Sequence, residues 1–118
     1  MLALVFSGLP VSEIDAPRSW TFLTNHAHVL VCITRDPGIR VREIALRVGI
    51  TERATQRIVA DLAAEGYIER TRVGRRTTYT VNGLLPLRHP LEEHSEVGVL
   101  LRALSVRMSD QQRRSRRS

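Results

Sequence analysis

Apolar residues in the first half of the chain recur at steps of three and four, the spacing that puts them on one face of a helix. The pattern predicts a first helix that follows Thr24, a candidate N-cap, and ends before Pro37. A second helix is predicted over Val41–Val48, and a third from its cap at Thr51 to about Glu65. These segments indicate three short amphipathic helices.

Beyond Gly66 the apolar and polar residues alternate with a period of two, which is typical of a half-buried strand. We expect two strands, Tyr67–Arg72 and Arg76–Val81, joined into a β-hairpin at Val73-Gly74-Arg75. A helix-rich chain with one such hairpin is mainly α with a small β component. The predicted fold class is therefore α+β.

A fourth helix is predicted near the C-terminal end, after a linker at Leu84–Pro90 that contains two prolines. Its apolar residues again share one face, and several glutamates lie around its start, where the helix dipole favours negative charge. That face can form the surface of a homodimer, or it can close the protein's own core, and the sequence leaves both open. The predicted dimerisation residues are Val97, Leu100, Leu101 and Leu104.

The patterns divide the chain into four segments. Residues 1–19, interrupted by glycine and proline, are predicted as an irregular apolar lead-in that offers a second dimer surface. Residues 20–82 contain the three helices and the hairpin, and residues 83–104 the linker and C-terminal helix. Residues 105–118 are predicted as a basic, disordered tail, which either attracts phosphate or has no role.

The positive charge of the chain is segregated. All 18 basic residues are arginine, against 12 acidic residues, and the net charge is +6. The net charge is +5 over residues 35–88 and +4 over residues 105–118, whereas it is −1 over residues 1–34 and −2 over residues 89–104. Arginine binds phosphate and guanine edges through its planar fork, so the middle block is a candidate surface for a polyanion. The simpler alternative is a solvated charged face without a partner.

Other functional classes have little support in the sequence. The single cysteine, Cys32, excludes an intramolecular disulfide framework and indicates a reducing compartment, which we take to be the cytoplasm. His28 and Cys32 share a helical face near His26, but a zinc site needs three or four ligands, so we expect no metal or other cofactor. No catalytic motif and no membrane-length apolar run is present, and we expect neither an enzyme nor a membrane partner.

The order of helix, glycine turn, helix and hairpin has a known physical use. A helix fits the major groove of DNA, and in such an arrangement the second helix presents its outward N-terminal side chains to the base edges. The hairpin that follows can contact phosphates or a neighbouring groove. The order of elements therefore favours DNA as the partner.

Three motifs in this order resemble the winged helix-turn-helix of MarR- and ArsR-like bacterial transcriptional regulators. They are the alanine and glycine that let the two helices pack closely, the leucine, glycine and hydrophobic pair that close the recognition helix, and the arginine-rich hairpin. The resemblance covers residues 20–82 and implies a three-helix core, a two-stranded wing and a C-terminal helix. The matching positions are Ala45, Gly49, Leu62, Gly66, Tyr67, Ile68, Gly74, Arg75 and Arg76.

The resemblance implies that a homodimer recognises double-stranded DNA, with residues 51–65 in the major groove and residues 67–81 on the backbone or in the minor groove. Arg53-Ala54 replaces the family's usual serine or threonine pair, and the chain is shorter than full-length MarR-type proteins, which indicates a small variant. The implied base-reading residues are Glu52, Arg53, Gln56 and Arg57. The implied backbone and wing contacts are Arg42, Thr51, Arg72, Arg75 and Arg76.

Two further functions stay open from the sequence. A winged helix can serve as a protein–protein adaptor, since a fold does not fix a function. It can also bind nucleic acid without sequence preference, through phosphate contacts alone. The arginines of the third helix and the wing favour nucleic acid over an adaptor, but the sequence specifies neither an operator nor an effector.

Overall fold

The computed structural model describes residues 19–105 as four helices and a two-stranded sheet. Helices α1 (Asn25–Arg35), α2 (Val41–Val48) and α3 (Glu52–Ala64) precede strands β1 (Ile68–Val73) and β2 (Arg76–Val81). A last helix, α4, begins at residue 97 and continues to residue 105. The predicted fold class is confirmed. Apart from Ser19 and Ser105, the predicted lead-in 1–19 and the basic tail 105–118 lie outside the described residues.

The first three helices begin where their sequences predict and bury their apolar stripes. Thr24 and Thr51 cap α1 and α3 by accepting hydrogen bonds from the backbone N–H groups of Ala27 (3.3 Å) and Ala54 (3.0 Å). Each helix has one apolar stripe, so the three pack around a shared core. The residues that these helices contribute to the core are Val29, Leu30, Ile33, Ile44, Ala45, Ile58, Val59 and Leu62.

A tight turn at Gly49 joins α2 to α3. Gly49 has a φ of 86°, in the left-handed region that glycine adopts without strain. The backbone N–H groups of Gly49 and Ile50 both donate to the carbonyl of Ala45, at 2.8 and 3.1 Å. These bonds end α2 at one residue and thereby fix the direction in which α3 leaves the turn.

The hairpin is antiparallel, from Ile68 opposite Val81 to Val73 opposite Arg76. Strand β1 begins one residue later than predicted. The N–H of Tyr67 donates to the carbonyl of Leu62 (2.9 Å), so this N–H bonds back to the last turn of α3 rather than across the hairpin. At its far end β1 includes Val73, which the sequence placed in the turn. The N–H of Tyr79 donates to the carbonyl of Pro37 (2.9 Å), which ties the hairpin to the loop between α1 and α2.

Helix α4 packs part of its apolar face on the same core. Val97 and Leu101 are buried in the core cluster, whereas Leu100 and Leu104 are half-buried. Of the four predicted dimerisation residues, two therefore close the protein's own core, and two keep surface that a second copy can cover.

Candidate nucleic-acid interface

Two hydrogen bonds made by threonine side chains hold the N-terminal end of α3. The Thr51 side chain caps the N–H of Ala54, and the hydroxyl of Thr55 donates to the carbonyl of Thr51 (2.9 Å). Thr55 is fully buried, and Ile58 and Val59 continue its inward face. Because the inward face is fixed in the core, the side chains opposite to it have a defined direction.

The four predicted base-reading residues lie on the exposed side of α3. Within residues 19–105 the structure contains the ion pair Arg88–Glu65 and the hydrogen bond between His26 and Asp61, and none of the four base-reading residues takes part in either. The arginines there keep their donors for an external acceptor, and arginine and glutamine are the side chains that bind guanine and adenine bidentately. The exposed residues are Glu52, Arg53, Gln56 and Arg57.

The wing places its predicted arginines around the tip rather than on one surface. In the strand register Arg72 lies opposite Thr77, on the same face as the buried Tyr79, whereas Arg76 lies opposite Val73 on the other face. Arg75 occupies the turn between them. The Nε of Arg72 donates to the carbonyl of Gly74 at 3.4 Å, a long contact within the tip. An arrangement with cations on both faces can contact both walls of a groove.

The N-terminus of α2 adds a residue that the sequence analysis did not select. Arg40 is the N-cap of α2 and makes no side-chain cap, and it is exposed together with the predicted contact residue Arg42. The first N–H groups of a helix attract anions, and two nearby arginines reinforce that attraction. Arg40 could have been found from its position just before the predicted start of the second helix.

The other end of α3 lies beside an open cavity of about 760 Å³. Its apolar lining includes Leu30, Leu62 and Leu101. At its rim, His26 pairs with Asp61 (2.9 Å), and Arg88 donates to Glu65 (3.1 Å). The hydrogen bond and charge of Glu65 raise the pKa of Arg88. The charged side chains at this end of α3 therefore have partners within the protein.

The described residues offer no assembled metal site. No group of three or more His, Cys, Asp or Glu side chains comes together within residues 19–105. Burial raises the pKa of the half-buried Cys32 thiol, although Arg47 and Arg35 act in the opposite direction. In the same part of the chain, none of the helices combines the length and the apolarity needed to cross a membrane.

Comparisons with known proteins agree with this architecture. Residues 21–76 match the model of the MarR family. No curated protein sequence matches the chain. Among solved structures, the chain is similar to Streptococcus pneumoniae FabT in complex with DNA, with a TM-score of 0.50 and 18% identity over 97% of this chain and 75% of that one. This likeness supports the fold.

Two other structures are similar over shorter parts. The zinc-dependent MarR family transcriptional regulator AdcR, in its Zn(II)-bound state, gives a TM-score of 0.41 and 21% identity over 58% of this chain. This chain spans about half of it, 49% of its length. A Mycobacterium tuberculosis MarR family protein, RV2887 in complex with salicylic acid, gives a TM-score of 0.46 and 22% identity over 80% of this chain and 73% of that one. The match of residues 21–76 to the MarR family model and the likeness to FabT together support a winged helix-turn-helix fold for this chain.

Proposed function

We propose that this protein is a transcriptional regulator that binds double-stranded DNA in a sequence-specific manner as a homodimer in the cytoplasm. Helix α3 enters the major groove with Glu52, Arg53, Gln56 and Arg57 towards the base edges. The wing contacts the backbone or the minor groove through Arg72, Arg75 and Arg76, and Arg42 and Thr51 contact phosphates. The proposed activity is binding, without catalysis.

One observation supports this proposal above the others: the exposed side of α3 has two arginines and a glutamine whose donors are unoccupied by carboxylates of residues 19–105. The N-terminal cap at Thr51 and the buried Thr55 give the face a fixed orientation, which discrimination between bases requires. An adaptor surface would instead need large apolar side chains here, and none of the exposed large hydrophobic residues within residues 19–105 lies on α3.

The homodimer follows from the size of the site. A single recognition helix contacts few base pairs, so regulators with this fold bind pseudo-palindromic sites through two copies related by a two-fold axis. Leu100 and Leu104 keep surface on α4, and Val99 beside them is 51% exposed. We assign this outer part of α4 to the dimer contact.

The proposal is tested by selecting bound sequences from random DNA and then measuring the affinity of Arg53→Ala combined with Arg57→Ala. Each arginine that binds a base contributes about 1–3 kcal/mol of discrimination. We expect the double variant to lose affinity for the selected sequence and to discriminate poorly among sequences, while its thermal unfolding stays close to that of the parent because both side chains are exposed.

The matched control is Arg88→Ala combined with Arg102→Ala, which removes the same charge from exposed positions outside the proposed site. It should retain the selectivity of the parent. If the α3 double variant binds as tightly and selectively as the parent, the assignment of α3 is wrong. If the parent itself shows no preference among sequences, binding is non-specific, and if it binds no DNA, an adaptor function is favoured.

A further inference from the structure

The connection between the wing and α4 folds back on itself and is tied by backbone hydrogen bonds. The N–H of Leu87 donates to the carbonyl of Ser95 (2.9 Å), and that of Val97 to the carbonyl of Leu85 (2.8 Å). Pro86 and Glu96 form the bridge between them. Residues 83–87 thus run antiparallel to residues 95–98, and Leu85 and Leu87 pack against the core.

The last of these bonds joins two glycines. The N–H of Gly98, in the first turn of α4, donates to the carbonyl of Gly83 at 2.8 Å. The first N–H groups of a helix have no partner inside the helix, so this carbonyl and that of Leu85 take the place of a side-chain cap. The direction in which α4 starts is consequently set by the backbone just after the wing.

The contact is too close for any side chain at position 98. A Cβ atom there would lie 2.7 Å from the carbonyl oxygen of Gly83 and 3.1 Å from its Cα. A Cβ on Gly83 would lie 3.1 Å from the Cα of Gly98, a milder conflict. Both groups opposite the added atom are backbone, which cannot turn aside as a flexible side chain can.

The glycine pair lies directly beside the wing. Val81 ends β2, and the N–H of Asn82 donates to the carbonyl of Tyr67 (2.9 Å), at the base of the hairpin. The Tyr67 hydroxyl in turn donates to the carbonyl of Pro86. Only one residue, Asn82, therefore separates the last paired strand position, Val81, from Gly83, and the chain is fixed on both sides of Gly83.

We propose that Gly83 and Gly98 form a joint that sets the angle of α4 relative to the wing and α3, and that Gly98 is a positioning residue for DNA recognition. The inference rests on the proposed homodimer. If the outer part of α4 holds the two copies together, the angle at this joint determines where each α3 lies relative to its partner copy. The joint then fixes which spacing of half-sites the dimer binds.

The experiment compares the full-length parent with Gly98→Ala on the selected operator and on operators whose half-sites are moved apart or together by single base pairs. Since a turn of DNA takes about 10–10.5 bp, each added base pair rotates one half-site relative to the other. The parent should bind one spacing best. Gly98→Ala should lose about tenfold at that spacing, the order of one base contact, and its preferred spacing should shift or broaden.

Two further variants separate positioning from folding. Gly83→Ala should change the preferred half-site spacing in the same direction as Gly98→Ala, but by a smaller amount. If Gly98→Ala does not fold, Gly83→Ala takes its place in the comparison with the parent. Arg102→Ala, at an exposed position of α4 outside the proposed contacts, should keep the profile of the parent. Alanine is the best helix former, so a loss caused by alanine at position 98 reflects the contact rather than helix propensity.

Circular dichroism and size-exclusion chromatography identify which variants are folded dimers. The joint is refuted if folded, dimeric Gly98→Ala and Gly83→Ala keep the parent's profile, or if they lose affinity equally at every spacing. A folded but monomeric Gly98→Ala also overturns it, because the glycines would then hold the dimer together rather than set its geometry. If the parent lacks specific binding, the proposed function fails first, and the parent measurement alone reveals this.

Discussion

The two ends of α3 present their charged side chains in opposite ways. At the N-terminal end Arg53 and Arg57 are exposed and lie outside the ion pairs found within residues 19–105. At the C-terminal end Asp61 and Glu65 bind His26 and Arg88 across the rim of the cavity. One helix thus has an exposed face whose arginines are unpaired within residues 19–105 and an end attached to the rest of the protein.

The difference shows why the net charge of +6 is a poor guide to the binding surface. Arg88 contributes as much formal charge as Arg57, but its guanidinium is held by Glu65 and its attraction for an external anion is reduced accordingly. Arg35 likewise donates to the carbonyl of Leu104 (3.4 Å). The environment of each arginine, rather than the number of arginines, decides what it can bind.

The largest effect is expected where α3 is attached to the core. Leu62, at the C-terminal end of α3, is buried and also lines the cavity, so Leu62→Ala should lower the free energy of unfolding by about 2–5 kcal/mol. Gln56→Ala, on the exposed face, should change it by no more than about 0.5 kcal/mol. Urea unfolding of both variants measures the difference. Equal losses would mean that the exposed face is also part of the folded core.

A second comparison uses the two threonine caps, Thr24 before α1 and Thr51 before α3. Thr51→Ala and Thr24→Ala should each cost about 0.5–2 kcal/mol of stability, because each removes an acceptor for a backbone N–H. Only Thr51→Ala should also weaken DNA binding, measured at a temperature where both variants are folded. Thr51→Ser, which keeps the hydroxyl, should restore both properties. A loss of DNA affinity in Thr24→Ala would show that the caps act through stability alone.

Local signals in the sequence were enough to predict the elements of this fold. The bounds of α2 were predicted to the residue, because its apolar stripe and the terminal Gly49 are both local features. Strand β2 was also predicted to the residue, whereas β1 was displaced by one residue, because the N–H of Tyr67 bonds back to α3 and the strand pairing continues to Val73. The first residue of β1 depends on which carbonyl the backbone N–H of Tyr67 bonds to, and the periodicity of the side chains does not contain this information.

Contacts between distant segments could not be predicted in the same way. The stripe on α4 was identified, but the pattern could not tell that Val97 and Leu101 face the protein's own core. The pairing of residues 83–87 with residues 95–98 uses backbone atoms alone, and its one signal in the sequence is the presence of Gly83 and Gly98. The opposite faces of Arg72 and Arg76 follow from the strand register, which is fixed by the turn.

The wing offers a test of paired against unpaired arginine. Arg75→Ala should reduce the slope of log affinity against log salt concentration by about 1, because one phosphate contact is lost. Arg88→Ala should leave the slope unchanged, since Glu65 already holds that guanidinium. Fluorescence anisotropy over a series of salt concentrations measures both. Equal changes in the two variants would mean that arginines contribute only through net charge, and the contrast between the two ends of α3 would fail.

The smallest effect concerns arginines that act on a group inside the protein. Burial raises the pKa of the Cys32 thiol, and Arg47 and Arg35 partly offset that rise by favouring the thiolate. Arg47→Ala should therefore raise the pKa further, lower the thiolate fraction at a given pH, and slow the alkylation of Cys32. Arg53→Ala, on the outward face of α3, should leave the alkylation rate unchanged.

The sign of the pH dependence gives a second readout for the same thiol. Because its pKa is raised in the folded state, the folded protein keeps the proton at a pH where the unfolded chain has lost it. This contribution to stability is present below the ordinary thiol pKa of 9.0 and is lost as the pH rises through the folded value. The loss above pH 9.0 should be smaller in Cys32→Ala than in the parent. Alkylation that responds equally to Arg47→Ala and Arg53→Ala would contradict the division between arginines that act inside the domain and those available to DNA.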